Sequence, residues 1–69
     1  MSYDEFFSNY ISYMHSICEC VRHSGDDADD ATVILKAWLY GEACTSRLPS
    51  SVYDNLLNVI DDVVFDIYF

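Results

Sequence analysis

The sequence predicts an all-α fold: a single domain over residues 1–69, built as a small antiparallel three-helix bundle. Three observations lead there. Apolar residues recur at the three-and-four spacing of a helix face in three segments. Capping-box spacings open the first and third segments, and the two breaks between segments are short and made of residues that end helices.

The first helix is expected over 3–23. Ser2 and Glu5 have the S-x-x-E spacing in which the hydroxyl takes a free backbone N–H and the carboxylate reaches back to the cap residue. Tyr3, Phe6, Phe7, Tyr10, Ile11, Met14, Ile17, Cys18 and Val21 then mark one face, with Glu5, Asn9, Ser12, Ser16, Glu19 and His23 opposite. Ser24-Gly25 ends it, since glycine takes the left-handed conformation that terminates many helices.

The second helix is expected over 28–43, capped by Asp26 or Asp27, whose carboxylates suit the partial positive charge of a helix N-terminus. It is apolar nearly all round, through Ala31, Val33, Ile34, Leu35, Ala37, Trp38, Leu39 and Tyr40, which predicts the central and most buried element with Trp38 inside. Gly41 near its end suggests fraying or the close approach of a neighbouring backbone. Pro49 sets the next boundary by restricting the residue before it. Ser50-Ser51 should cap a third helix over 51–66, with Ser51 and Asp54 repeating the capping-box spacing. Its apolar positions are Val52, Tyr53, Leu56, Leu57, Val59, Ile60, Val63, Val64 and Ile67. The β propensity of Val63 to Phe69 points to an end that frays or extends, against a helical period that continues.

Composition narrows function. Twelve carboxylates oppose three basic side chains for a formal charge of -9, yet half of the residues are apolar, with six Tyr, four Phe and Trp38. A chain this rich in aromatics folds rather than staying disordered. Its surface is then anionic, repelling nucleic acid and anionic lipid and attracting basic protein surfaces. The expectation is a cytoplasmic protein that binds neither nucleic acid directly nor membrane: the start lacks the positive region of a secretory signal, and Val33 to Tyr40 is far short of the ~20 residues that span a bilayer. Three cysteines are an odd number, which fits free thiols in a reducing compartment.

No cofactor, metal or catalytic residue is expected. His15, Cys18, Cys20 and His23 fall within nine residues, but on a helix Cys18 and Cys20 point about 200° apart, so the cluster cannot close around zinc. It reads instead as buried cysteines with surface-leaning histidines. Phosphate loop, nucleophile elbow and supported triad are all missing, and with twelve acids close carboxylate pairs arise by chance.

The candidate partner-binding residues are acidic and aromatic. Asp54, Asp61, Asp62 and Asp66, with Asn58 among them, run along one side of the third helix over about 18 Å, with only Arg47 near to offset them. Carboxylates one turn apart lie about 6 Å from each other, not far from neighbouring phosphates on one strand. Beside the second cluster, Asp26, Asp27, Asp29 and Asp30, they could imitate the charge track of DNA. Tyr13 and Tyr40 fall off the core stripes, and Tyr among acids suits Arg- and Lys-rich partners. The aromatic surplus also leads to the expectation of a homodimer.

In physical type, not in sequence, this profile is similar to the small acidic inhibitors that phages and mobile elements direct against host defence enzymes, anti-CRISPR and anti-restriction proteins among them. The expected function is stoichiometric inhibition of a basic nucleic-acid-handling protein in the host cytoplasm. The alternatives are an antitoxin or bacteriocin-immunity protein covering a basic nuclease, and a homo-oligomeric structural subunit whose charge only maintains solubility.

Overall fold

The computed structural model describes residues 3–46 and 48–69, with Tyr3 described through its backbone alone. Three helices follow one another: α1 Tyr3–His23, α2 Ala28–Ser46 and α3 Ser50–Tyr68. Each packs against the other two. Connections of four and three residues leave no route but antiparallel neighbours, so the bundle is one helix long, 34 × 20 × 16 Å.

The breaks are made by specific hydrogen bonds. Asp26 N–H donates to the Val21 carbonyl at 3.3 Å and Gly25 N–H to that of Arg22 at 3.0 Å, the paired bonds of a Schellman motif. Gly25 supplies the left-handed residue the motif needs, with φ +90°. Two residues later Asp27 caps α2, its Oδ1 accepting from Asp30 N–H at 2.9 Å while its carbonyl takes the Ala31 N–H at 3.1 Å.

Three boundaries differ from expectation. Helix α2 continues through Ser46 rather than stopping at Ala43, because hydroxyls support the added turn: Thr45 donates to the Gly41 carbonyl at 2.9 Å and Ser46 to Glu42 Oε2 at 3.2 Å. In α3 the serines are not caps. Pro49 takes that position with φ −58° and ψ 146°, makes no side-chain cap bond, and receives the Tyr53 N–H on its carbonyl at 3.0 Å, so Ser50 and Ser51 lie inside the helix. The C-terminal residues stay helical as far as Tyr68. The expected Ser2–Glu5 capping box involves Ser2, and the expected charge offset involves Arg47. Both lie outside the described residues.

The core is a single apolar cluster. Helix α1 contributes Tyr10, Met14, Cys18 and Val21; α2 contributes Ala31, Leu35 and Leu39; α3 contributes Val52, Leu56, Ile60, Val63 and Val64. The most buried element is therefore α3, not α2 as its composition suggests. Helix α2 touches the core through one row at four-residue spacing, and a row that narrow leaves Val33, Ile34, Ala37 and Tyr40 on the outside. Trp38, one position off that row, is half-buried rather than inside, its ring 5.9 Å from that of Tyr10 at the α1–α2 junction. Tyr10 completes the junction by donating to Glu42 Oε2 at 3.4 Å. Among the described residues no neighbouring segment approaches Gly41 closely: outside the helix's own turn a Cβ built there meets nothing within 4 Å, and the helix does not end at it.

The two glycines therefore predict opposite outcomes under urea denaturation. Gly25→Ala should destabilise by about 1–2 kcal/mol, the cost of a left-handed residue with a Cβ. Gly41→Ala should stabilise by about 0.5–1 kcal/mol, since it only removes a helix-interior glycine. Asp27→Ala should cost about 1 kcal/mol through the lost cap.

Candidate protein-binding surface

The topology gathers charge that the sequence keeps apart. The C-terminus of α1, the N-terminus of α2 and the C-terminus of α3 lie at the same end of the bundle, tied by the Tyr68 hydroxyl donating to the Asp26 carbonyl at 2.9 Å. A hollow of about 360 Å³ there is lined by Asp27, Ala28, Asp29, Tyr68 and Phe69. The Asp26–Asp30 cluster thus adjoins the end of α3 that carries Asp61, Asp62 and Asp66. Asp54 is exposed on the same outward face of α3 but near its start, about 18 Å from Asp66 along the axis. All eight of these aspartates are exposed.

That outward face is not purely acidic. Phe65 and Phe69 emerge on it, 65% and 83% exposed, with rings stacked at a centroid distance of 5.4 Å and an interplanar angle of 30°. By helical geometry Asp61 and Asp62 sit one turn before Phe65 on either side of it, and Asp66 follows beyond Asp62. Reading Val63 to Phe69 only as a helix end overlooks this pair. The available signal is position: Phe65 falls within the run of polar outward residues, not on the Ile60–Val64–Ile67 stripe.

A second hollow, about 450 Å³, opens between α1 and α3 and is lined by His15, Glu19, Arg22, His23, Asp66 and Ile67. It corrects one expectation. Arg22 is a basic group beside Asp66, in a position that chain order does not suggest. The histidines face this cleft with carboxylates, His15 half-buried and His23 exposed, while Cys18 is buried in the core and Cys20 exposed on the far side of the helix. Of the two cysteines expected to be buried, Cys18 is and Cys20 is not; Cys44 is exposed as well. Among the described residues no three His, Cys, Asp or Glu side chains are placed to hold a metal ion.

Tyr13 and Tyr40 are 59% and 65% exposed, but neither adjoins the acidic end. Tyr13 packs edge-on against Tyr10, ring centroids 6.4 Å apart at 87°, extending the Phe6–Tyr10–Trp38 aromatic row. Tyr40 stands on the outer face of α2 with Val33, Ala37 and Cys44.

Two titrating groups are perturbed near this end. Burial pushes the Cys18 thiol above its ordinary range, and the Glu19 carboxylate pushes the same way. Tyr68 is raised first by desolvation and then by Cys18, Asp26 and Asp27, with Arg22 opposing. Both hold their protons, as the hydrogen bond donated by Tyr68 requires.

No described helix is long and apolar enough to cross a membrane. Compared with known proteins, the chain matches no family model, no curated protein and no solved structure.

Thiol labelling followed by mass spectrometry should mark Cys20 and Cys44 in the native protein and Cys18 only on unfolding. The native state keeps the Cys18 proton to higher pH than the unfolded chain does. Stability should therefore fall as pH rises through the ordinary thiol pKa, about 8.5. A Cys18→Ala variant, although less stable at neutral pH, should show a shallower fall.

Proposed function

We propose that this chain is a small acidic binding protein that occupies a basic nucleic-acid-binding surface of another protein and so blocks it. The observation that carries the reading is that Asp26–Asp30 pack against the C-terminal end of α3 through Tyr68 and Phe69, so that they and the exposed Asp61, Asp62 and Asp66 lie toward one end of a bundle whose third helix contains no basic residue. Charges gathered on a rigid scaffold produce a field that attracts a cationic groove before contact. In this reading the chain acts as a DNA mimic of the inhibitor type that phages and mobile elements use against defence enzymes in the host cytoplasm. An antitoxin or immunity protein that covers a basic nuclease would use the same surface, and the captured target separates the two.

A pull-down from lysate at low and high salt tests the reading. It should recover one basic nucleic-acid-handling protein, released by salt. Replacing Asp54, Asp61, Asp62 and Asp66 together by Asn should weaken binding by about 1–4 kcal/mol, on a scale of about 0.2–1 kcal/mol per exposed charge pair. Most of the loss should appear as slower association, while Asp62→Asn alone should change little. Full affinity at low salt in both this variant and its counterpart at Asp26, Asp27, Asp29 and Asp30 would sink the proposal.

One observation favours self-association as a second reading. The outer face of α2 presents Val33, Ala37, Tyr40 and Cys44, and between Ala31 and Ser46 only Lys36 and Glu42 carry charge. It is the face on which two strongly anionic copies meet with least repulsion. Sedimentation should give a dimer that becomes monomeric on Val33→Glu with Tyr40→Glu. A wild-type monomer at micromolar concentration removes this reading.

A further inference from the structure

We infer that the stacked Phe65–Phe69 pair is an arginine-selective anchor within the anionic surface, a role that rests on the reading of that surface as the one that meets a basic partner. The pair needs an explanation that folding does not provide. Both rings are largely in solvent, on the side of α3 opposite the core row Val52–Leu56–Ile60–Val63–Val64. Isolated exposed apolar residues are ordinary, but two large rings stacked on each other form a patch. Stacking also holds each ring's orientation, so its outward surface is presented rather than averaged away.

Charge complementarity names the occupant. Asp61 and Asp62 lie one turn from Phe65, Asp66 is next to it in sequence, and the Asp27–Asp29 side of α2 meets Phe69 across the hollow they share. A hydrophobic partner segment would leave these carboxylates facing apolar groups and gain little. An ammonium group gains the carboxylates but is a compact, strongly hydrated charge that draws less from the rings. A guanidinium matches both features, since its planar face stacks on an aromatic ring while its N–H fork binds a carboxylate at the edge. The partner surface that fits is one in which arginines, not lysines, line the contact.

Two synthetic peptides of equal length and charge, one carrying arginine and the other lysine at the same positions in an alanine background, test this by calorimetry at low salt. The wild-type protein should bind the arginine peptide about 2- to 5-fold tighter per ring engaged, the equivalent of about 0.5–1 kcal/mol for an exposed cation–π contact. Phe65→Ser with Phe69→Ser, checked for unchanged helicity, should bring the two affinities together while leaving the salt dependence intact. Asp61→Asn, Asp62→Asn and Asp66→Asn together should weaken both peptides. Equal wild-type affinities that both fall with salt overturn the arginine anchor and leave the anionic reading standing. Binding that ignores salt and the Asn substitutions overturns the anionic reading itself. If neither peptide binds, the anchor is overturned, and the lysate pull-down judges the wider reading separately. A wild-type dimer that dissociates on the double Phe substitution assigns the pair to a second copy and also overturns the proposal.

Discussion

Burial of one face of α3 is the constraint on which the rest of the structure depends. Val52, Leu56, Ile60, Val63 and Val64 are shielded by α1 and α2 together, and the half-buried Tyr53, Leu57, Val59 and Ile67 widen that contact. A helix sandwiched in this way has no rotational freedom. Once its apolar face is turned inward, Asp54, Asp61, Asp62 and Asp66 must face water, and so must Phe65. The anionic surface is the other side of the same packing decision that makes the core.

The turn at Ser24–Asp27 does for the ends what α3 does for the faces. The Schellman bonds and the Asp27 cap reverse the chain within four residues, which places the α2 N-terminus beside the α1 C-terminus, at the end to which the second reversal returns the C-terminus of α3. Tyr68 then bonds the Asp26 backbone and pins the α3 C-terminus to this turn. Bringing aspartates from both segments to one end raises their mutual repulsion. Exposure and salt moderate it, with a Debye length of about 10 Å at 0.1 M, and the α2 N-terminal dipole offsets part of it for Asp27, Asp29 and Asp30. Arg22 in the α1–α3 cleft is a further local counterweight. The remaining field reaches outward from this end of the bundle, the feature on which the proposed function rests.

Apolar surface is distributed in a way that separates two kinds of contact. The outer face of α2 is nearly neutral and carries Val33, Ala37 and Tyr40 beside a glycine with open space above it. The outer face of α3 mixes aromatic rings with carboxylates. In the two proposed readings the first would meet a copy of the same chain and the second a cationic surface, so self-association and partner binding need not compete for the same residues. Tyr13 belongs to neither, because its ring extends the aromatic row at the α1–α2 junction.

Local chemistry in the sequence determined the existence, order and approximate span of the helices. Helical periodicity, Gly25, the Asp26-Asp27 pair and Pro49 act within a few residues of themselves, so their effects need no knowledge of the fold. The outward position of the α3 aspartates was legible for the same reason, since a strong apolar stripe defines its own opposite. What a helix packs against is a different matter. Composition marked α2 as the buried centre, but burial is shared among three helices, and only the geometry of the bundle assigns most of it to α3 and leaves Tyr40 and Val33 in solvent. The nearness of Asp27 to Phe69, and of Arg22 to Asp66, is equally a product of topology. These residues are far apart along the chain, and no local propensity encodes a distance between them.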